Sequence, residues 1–356
     1  MKEQVSQTKK GSVLRTSMYV AVLIGLAAFL IFSILAAITF GNADLSLKDV
    51  YSVIAYKLFH IKSLSVYAEG AVHDVVWLIL LALAVGMALS VCGVVMQAIV
   101  QNPLADPYVL GISSGASLGA TLAIMLGVGG FLGGNSVGVT AFIGAMVTSF
   151  AVIAIANMGG KATSAKLILA GMAVSAVCSA FSNFVIYITN DKNAATEVMK
   201  WTMGSLAGAS WSRVGVMLPV TLICVIIFWT QYRNLNLMLL GDDVSITLGT
   251  DLHRLRTFYL IVASVMIGFA VYCAGVIGFV GLVIPHVIRI LFGTDHRRLL
   301  PLSALLGASF LIWCDVACRV ILKNSEMPIG VLVSIIGAPC FIYLLVRKSY
   351  GFGGSK

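Results

Sequence analysis

The sequence predicts an all-α polytopic membrane protein with about ten transmembrane helices. Of its 356 residues, 60% are hydrophobic and only 10% are charged, whereas soluble domains carry about 25% charged residues. The mean hydropathy is +1.02, and the apolar residues come in long runs. Because a helix needs about 20 apolar residues to cross a bilayer, these runs exclude a soluble enzyme and predict a chain that crosses the membrane many times.

Ten apolar segments are long enough to be transmembrane helices. A short basic tail, residues 1–16, precedes the first segment, which we interpret as a retained span because no clear cleavage site follows it. The region around Gly275 predicts a hairpin of two helices within the long apolar stretch 257–292. We expect spans at 17–40, 75–100, 109–128, 136–157, 165–189, 213–231, 257–273, 275–292, 300–321 and 329–347.

The basic residues predict that both termini lie in the cytoplasm. With the N-terminus placed inside, fifteen of the 23 Lys and Arg residues fall on the inner side and eight on the outer side. This is the asymmetry that membrane proteins show. The net charge of +9 is therefore interpreted as a topology signal. No basic stripe alternates with aromatic residues, so we expect no nucleic-acid partner.

No catalytic or metal-binding motif stands out in the sequence. It contains no HExxH or GxSxG pattern, and the closest approach to a phosphate-binding loop, residues 159–162, lacks the first glycine and the final hydroxyl. The seven cysteines lie in apolar segments, where they are typical packing residues. Cys314 and Cys318, one helical turn apart, are the alternative candidates for a disulfide or a metal. We expect no enzymatic activity, no cofactor and no metal site.

Small residues and prolines mark candidate positions for a pathway. Gly111, Gly115 and Gly119 form two overlapping GxxxG units, a pattern that lets membrane helices approach closely. This face is interpreted either as static packing or as a sliding surface beside a pathway. Proline removes a backbone donor and frees a carbonyl, which a membrane helix tolerates where protein or water bonds that carbonyl. We expect such breaks at Pro103, Pro107, Pro285 and Pro339, either beside a conduit or as kinks that serve packing alone.

Two polar features stand out from the apolar background. Asp315 and Arg319, four residues apart in the ninth span, predict an intramembrane ion pair, which we interpret as structural. The cytoplasmic loop 232–256 contains the segment 240–249, which has an acidic start and a glycine exit. That segment predicts a compact docking element, with an ordinary solvated loop as the alternative.

Four sequence blocks, in order, resemble the permeases of bacterial ABC importers for iron-siderophores and cobalamin. The first block reads Gln-Ala-Ile-Val-Gln-Asn-Pro-Leu-Ala-Asp-Pro over residues 97–107 and continues with Leu-Gly-Ile-Ser-Ser-Gly-Ala over 110–116. The other blocks lie within 275–289, 295–319 and 326–339. The resemblance extends from about residue 40 to residue 348, nearly the whole chain.

The resemblance implies a permease fold like that of the cobalamin importer, formed as one transmembrane domain over residues 1–356. It implies a pathway formed with a second permease copy or a paralogue, and lined by the fifth, eighth and tenth spans. ATP would be used by separate cytoplasmic ATP-binding subunits, and an extracytoplasmic binding protein would deliver an iron-siderophore, haem or cobalamin. The chain would reside in the bacterial cytoplasmic membrane. The alternative is an ion-gradient-driven secondary transporter, which usually needs more buried carboxylates.

The resemblance also implies roles for individual residues. Asp243 and Gly249 keep the acid-to-glycine spacing of the importer coupling motif, whereas Val244 and Ser245 replace its two usual alanines. The implied coupling residues are Leu240, Gly241, Asp242, Asp243, Leu248 and Gly249. The implied pathway or gating residues are Gln97, Asn102, Pro103, Gly111, Gly115, Gly278, Gly281, Pro285, Gly337 and Pro339.

One departure from the family concerns the outer surface. The family commonly has Arg-Leu-Pro-Arg just before the second span, where this chain has Val-His-Asp-Val-Val-Trp-Leu over residues 72–78. Arginines there usually help to dock acidic residues of the binding protein. We therefore expect that contact to shift to Lys48, Lys57, Lys62 or Lys192.

Overall fold

The computed structural model describes residues 2–40, 66–158, 160, 162–247, 252–321 and 327–347. Within these ranges the chain is helical and forms no strand. In chain order the helices are α1 Lys2–Thr39, α2 Val66–Val100, α3 Ile112–Leu126, α4 Ser136–Asn157, α5 Ser164–Thr189, α6 Lys192–Thr202, α7 Trp211–Thr230, α8 Tyr232–Met238, α9 Asp242–Thr247, α10 Leu252–Ala274, α11 Val280–Phe292, α12 His296–Ile321 and α13 Ile329–Arg347.

The predicted all-α polytopic fold is confirmed. Among the described residues, seven helices are long and apolar enough to cross a membrane, and three shorter apolar helices, in α3, α11 and α13, supply the remaining predicted spans. The boundaries of the third and eighth spans differ from the prediction. They are not the largest shifts, since the second span was expected from residue 75 and its helix begins at Val66, but both fall at irregular backbone: the third was expected from residue 109 and its α-helix begins at Ile112, and the eighth was expected from residue 275 and its helix begins at Val280.

Polar side chains at the helix starts explain several of the boundaries. The Thr163 hydroxyl accepts a hydrogen bond from the Lys166 backbone N–H at the start of α5. The Asp191 carboxylate accepts two at the start of α6, and the Ser210 hydroxyl accepts one at the start of α7. These residue types bond the otherwise unpaired N–H groups of a first helical turn. These three helices therefore begin where the sequence supplies a capping oxygen.

Helix α2 lies at the centre of the bundle. It packs against α7, α10, α11 and α12, and 83% of its apolar stretch is buried, against 28% for α5. Small residues allow this density. A Cβ at Gly86 would lie 2.3 Å from the Gly307 carbonyl oxygen of α12, so the two backbones touch directly. The central position of α2 brings its residues next to most of the candidate site.

The bundle has two faces, named here by the short helices that lie on them. The α6 face holds α6 and the ends of α1, α10 and α12. The α8 face holds α8, α9 and the ends of α2, α7 and α11. Contacts between distant residues support this division. Arg213 of α7 donates to the Cys273 carbonyl on the α6 face, and Gln101 donates to the Met238 carbonyl on the α8 face.

Candidate functional site

A non-helical segment, Gly275 to Phe279, separates α10 from α11. Gly275 has φ +68° and Phe279 has φ +65°, a left-handed conformation that glycine adopts freely and that costs another residue about 1–3 kcal/mol. The predicted hairpin therefore turns through five residues of irregular backbone. The segment packs beside the end of α6, where a Cβ at Gly275 would lie 2.7 Å from the Trp201 carbonyl oxygen.

Room for the Phe279 side chain comes from a glycine on α13. A Cβ at Gly337 would lie 2.5 Å from the Cβ of Phe279 and 2.9 Å from its Cγ. Pro339 follows two residues later, yet α13 continues through it to Arg347. The break expected at Pro339 is therefore wrong. The break expected at Pro285 is wrong as well, since α11 runs through that residue to Phe292.

The second irregular segment, residues 101–111, connects α2 to α3 and contacts the first. Asn102 accepts a hydrogen bond from the Leu104 N–H at 2.9 Å, and Pro103 follows the end of α2 at Val100. Pro107 opens a one-turn helix whose cap, Asp106, accepts from the Tyr108 N–H. The Tyr108 hydroxyl in turn accepts from the Ile277 N–H at 3.4 Å. The two irregular segments are therefore bonded to each other.

Asp106 is a half-buried carboxyl that the sequence patterns did not single out. Burial raises its pKa, and hydrogen bonds from the Tyr108 and Phe279 backbone N–H groups oppose that rise. Its polar partners are backbone groups of both irregular segments. The carboxyl therefore holds the connector 101–111 against the start of α11.

Gln97 bonds the carbonyl that Pro285 leaves free. Pro285 has no N–H, so the Gly281 carbonyl four residues earlier loses its helical donor. The Gln97 amide nitrogen donates to that carbonyl at 3.3 Å, and the Gln97 amide oxygen accepts from Arg289 of α11. Four residues of the first and second sequence blocks therefore form one contact between α2 and α11.

The same rule applies at Pro301 in α12. The carbonyl freed by this proline belongs to Arg297, and the Trp229 indole N–H donates to it at 3.3 Å. Trp229 lies in the last turn of α7. Both prolines therefore create a hydrogen bond between helices instead of a break in a helix.

The glycines Gly111 and Gly115 position α3 against its neighbours. Gly111 lies at the start of α3, where a Cβ would meet the Gly171 carbonyl oxygen of α5 at 3.3 Å. A Cβ at Gly115 would lie 2.2 Å from the Thr148 hydroxyl and 2.5 Å from the Gly144 carbonyl oxygen of α4. Gly115 is therefore at a direct backbone contact between α3 and α4, as its GxxxG spacing suggests.

Replacing Gly115 with leucine is expected to separate α3 from α4. Overpacking a close contact costs about 1–3 kcal/mol or more, and here the backbone of Gly144 cannot move aside. We expect a lower yield of folded protein and a lower midpoint of thermal unfolding in detergent. Gly215→Leu on α7 is the matched control, because a Cβ there has no neighbour within 4 Å. Equal midpoints for the two variants would contradict the assigned contact.

The structure describes residues 240–247 of the docking element predicted at 240–249. Leu240 is exposed, Gly241 has φ +90°, and Asp242 and Asp243 open the short helix α9. Leu248 and Gly249 lie outside the described residues, as do Lys48, Lys57 and Lys62. The buried Ser245 hydroxyl lies 2.9 Å from the Leu237 carbonyl oxygen and 2.8 Å from the Gly241 carbonyl oxygen. It joins α9 to α8 as one unit.

The predicted ion pair in the ninth span is present on α12. Arg319 donates to the Asp315 carboxylate at 2.9 Å, and both side chains are almost fully buried. Arg319 also donates to the carbonyl oxygens of Phe40 and Ala37. The pair therefore fastens the end of α1 to α12. This position agrees with a structural role.

The exposed surface of α5 is divided along its length. Large apolar side chains lie on one side, namely Val177, Phe181, Phe184 and Ile188. In the middle turns of the helix the other side carries small or polar residues, namely Ala176, Ser179, Ala180 and Asn183, all exposed, and larger side chains return on that side at Met172 and Tyr187. Polar side chains on the outer surface of a transmembrane helix are costly against lipid. The stretch from Ala176 to Asn183 on this side therefore has the composition of a surface that faces water or protein.

Helix α13 also has an exposed apolar surface, formed by Ile335, Ile336, Ile342, Tyr343 and Val346. Pro339 is exposed on the same helix, and Gly278 has open space around its Cα. The sequence-predicted pathway residues thus fall into two groups. Gln97, Gly281 and Pro285 lie together at the contact of α2 with α11, whereas Gly115 lies at the separate α3–α4 contact.

Transporters combine a bundle of membrane-spanning helices with irregular segments that interrupt some of them. This chain has both features, and a short helical element lies on one face of its bundle. The chain belongs to the FecCD transport family, whose model matches residues 29–347. It is 40% identical over 272 residues to the hemin transport system permease protein HmuU of Yersinia pestis, covering 76% of this chain and 81% of that one.

Two further comparisons agree with this family. The chain is 40% identical over 267 residues to the cobalamin import system permease protein BtuC of Halobacterium salinarum, covering 75% of this chain and 70% of that one. Among solved structures, it is similar to a metal-chelate type ABC transporter described in an inward-facing conformation, with TM-score 0.80 and 28% identity. That match covers 92% of this chain and 99% of the other. The resemblance derived from the sequence blocks is confirmed.

Proposed function

We propose that this chain is the permease subunit of a bacterial ABC importer and forms the membrane pathway for an iron-siderophore, haem or cobalamin-type ligand. The relatives named above transport hemin and cobalamin, and these ligands share the size and rigidity of a macrocycle or a chelate. The observation that carries the proposal is the small and polar stretch in the exposed middle turns of α5, with Ser179 and Asn183, which a lipid contact does not explain.

A second copy of the permease, or a paralogue, completes the pathway in this proposal. The exposed surfaces of α5 and α13 would face that second subunit, and α11 would contribute through its irregular start. Glycines at the irregular segment leave few interlocked side chains there, so one group of helices can rock against another.

Separate ATP-binding subunits would dock on the α8 face and supply the energy. Exposed Leu240 and the short helix α9 would form the element that fits a groove in the partner. The chain itself would need no cofactor. An extracytoplasmic binding protein would dock on the α6 face, where α6 begins at Lys192. Both termini would lie in the bacterial cytoplasm, because the inner segments hold most of the Lys and Arg residues.

Reconstitution tests the proposed function. The chain, the ATPase and the binding protein encoded beside it are placed in liposomes, and uptake of haem, cobalamin and a ferric hydroxamate siderophore is measured separately. We expect ATP-dependent uptake of one ligand class that requires the binding protein. Uptake by this chain alone, driven by a proton gradient, would instead establish the ion-gradient carrier.

Charge reversal at Asp243 is expected to uncouple ATP hydrolysis by the ATP-binding subunits from ligand uptake through the permease. Asp243→Lys places a cation at the start of α9, where the helix dipole favours an anion, and within the proposed docking surface. We expect ATP-driven uptake to fall about tenfold, equivalent to about 1.4 kcal/mol of docking energy, with membrane insertion unchanged. Gly249→Trp is expected to act in the same direction. Wild-type uptake in both variants would contradict the docking role.

A further inference from the structure

Asn236 of α8 binds the first residues of α12 with both ends of its side-chain amide. The amide nitrogen donates to the Asp295 carboxylate at 2.9 Å. The amide oxygen accepts from the His296 backbone N–H at 2.9 Å and lies 2.7 Å from the His296 Nδ1. We refer to Asn236, Asp295 and His296 together as the Asn236 latch.

The chemistry of the three groups fixes the direction of every hydrogen bond in the latch. A carboxylate only accepts, so the amide nitrogen must face Asp295. The amide oxygen then faces two donors, the His296 backbone N–H and a protonated Nδ1. Asp295 also accepts from the Arg297 N–H at 3.0 Å, so it caps α12 and binds α8 at the same time. The latch therefore connects α8 to the helix terminus itself.

Further contacts fasten α8 to the bundle. Leu235 and Met238 are fully buried, and Gln101, at the end of α2, donates to the Met238 carbonyl at 3.0 Å. Trp229, three residues before α8, binds the Arg297 carbonyl of α12. Because Ser245 joins α9 to α8, any force on α9 reaches α12 and α2 through α8.

We propose that Asn236 is a positioning residue that makes α12 move together with the ATPase-docking element. The proposal rests on the proposed function, since it assigns a residue that passes on the movement of a docked ATPase. Packing alone would let α8 slide along α12, because apolar contacts have no fixed register. The latch sets the register with three directed hydrogen bonds, one of them to a charged acceptor. α12 packs against the central helix α2, so movement of α12 reaches the candidate pathway.

An exchange of two side chains tests this role. Asn236→Asp alone places two carboxylates against each other and opens the latch. The double variant Asn236→Asp with Asp295→Asn removes this repulsion. In the wild type one Asp295 oxygen accepts from both Asn236 and the Arg297 N–H, so the new asparagine turns its amide nitrogen toward the new aspartate and its amide oxygen toward the Arg297 N–H. In the reconstituted importer we expect Asn236→Asp to lower ligand imported per ATP hydrolysed by about tenfold, as for the loss of one charge-assisted bond. We expect the exchange variant to restore the ratio.

The matched control is Asn234→Ala, because the hydrogen bond of Asn234 to Gln231 stays on the α7–α8 connection and does not reach α12. ATPase binding and the thermal midpoint are measured for every variant. A fall in midpoint with an unchanged ratio of import to hydrolysis would overturn the proposal, leaving Asn236 a structural residue. Failure of the wild-type complex to import any ligand with ATP would overturn the proposed function instead, so the two failures are distinguishable.

Discussion

Gly281→Ala is expected to disrupt the contact of α11 with both α2 and the connector 101–111. The added Cβ would lie 2.6 Å from Pro107 Cγ and 2.8 Å from the Leu89 carbonyl oxygen. A proline ring and a backbone carbonyl cannot rotate away, so the helices must separate. Overpacking of this kind costs about 1–3 kcal/mol or more. Separation would also lengthen the hydrogen bond from Gln97 to the Gly281 carbonyl, which Pro285 leaves without another donor. We expect a large loss of uptake.

The control for this variant is Gly278→Ala, three residues earlier in the same sequence block. A Cβ at Gly278 has nothing within 4 Å, and the backbone conformation suits alanine. The thermal midpoint in detergent and ATP-driven uptake are compared for the two variants. We expect Gly278→Ala to keep the wild-type midpoint and Gly281→Ala to lose both stability and uptake. The reverse order would mean that the tight contact between α2 and α11 does not control the fold.

The ten spans were predictable because hydropathy reports them directly. A helix surrounded by lipid or by other helices needs apolar residues over its whole length, and those runs are visible in one sequence. The start of α11 was not predictable to the same degree. Residues 275–279 are as apolar as the helix that follows, so the irregular segment has no hydropathy signal. The glycines at 275 and 278 were the available indication.

The sequence correctly predicted that a proline within a helix frees a backbone carbonyl. It wrongly predicted that the helices break at Pro285 and Pro339. Pro285 does free a carbonyl, but the donor that bonds it, Gln97, lies 184 residues away in sequence. Local patterns identify which carbonyl is freed, namely the one four residues earlier, and they do not identify its partner. Asn236 was missed for the same reason, since its importance comes from Asp295 and His296, 59 and 60 residues further on. An asparagine in a polar loop has no local mark of such a role.

The buried pair Asp315–Arg319 was predictable because both members lie on one helix at the i, i+4 spacing. The spacing could not indicate that Arg319 also binds the end of α1. Arg319 also binds the Phe40 and Ala37 carbonyls at the end of α1, and Trp313 donates to the Ser33 hydroxyl at 3.0 Å. These contacts make the pair the main polar attachment of α1 among the residues described.

Arg319→Leu is therefore expected to destabilise the protein strongly. The Asp315 carboxylate would be left buried without its cation, which costs about 3–5 kcal/mol, and the α1 carbonyls would lose their donor. The double variant Asp315→Leu with Arg319→Leu removes both charges, and replacing a buried pair by apolar residues is often close to neutral. We expect the thermal midpoint in detergent to fall sharply for the single variant and to recover most of the loss in the double variant. A transport role for the pair makes a different prediction, because the double variant would then be stable and inactive. Measuring ATP-driven uptake on the same preparations separates the two, and recovery of both stability and uptake is the result expected of a structural pair.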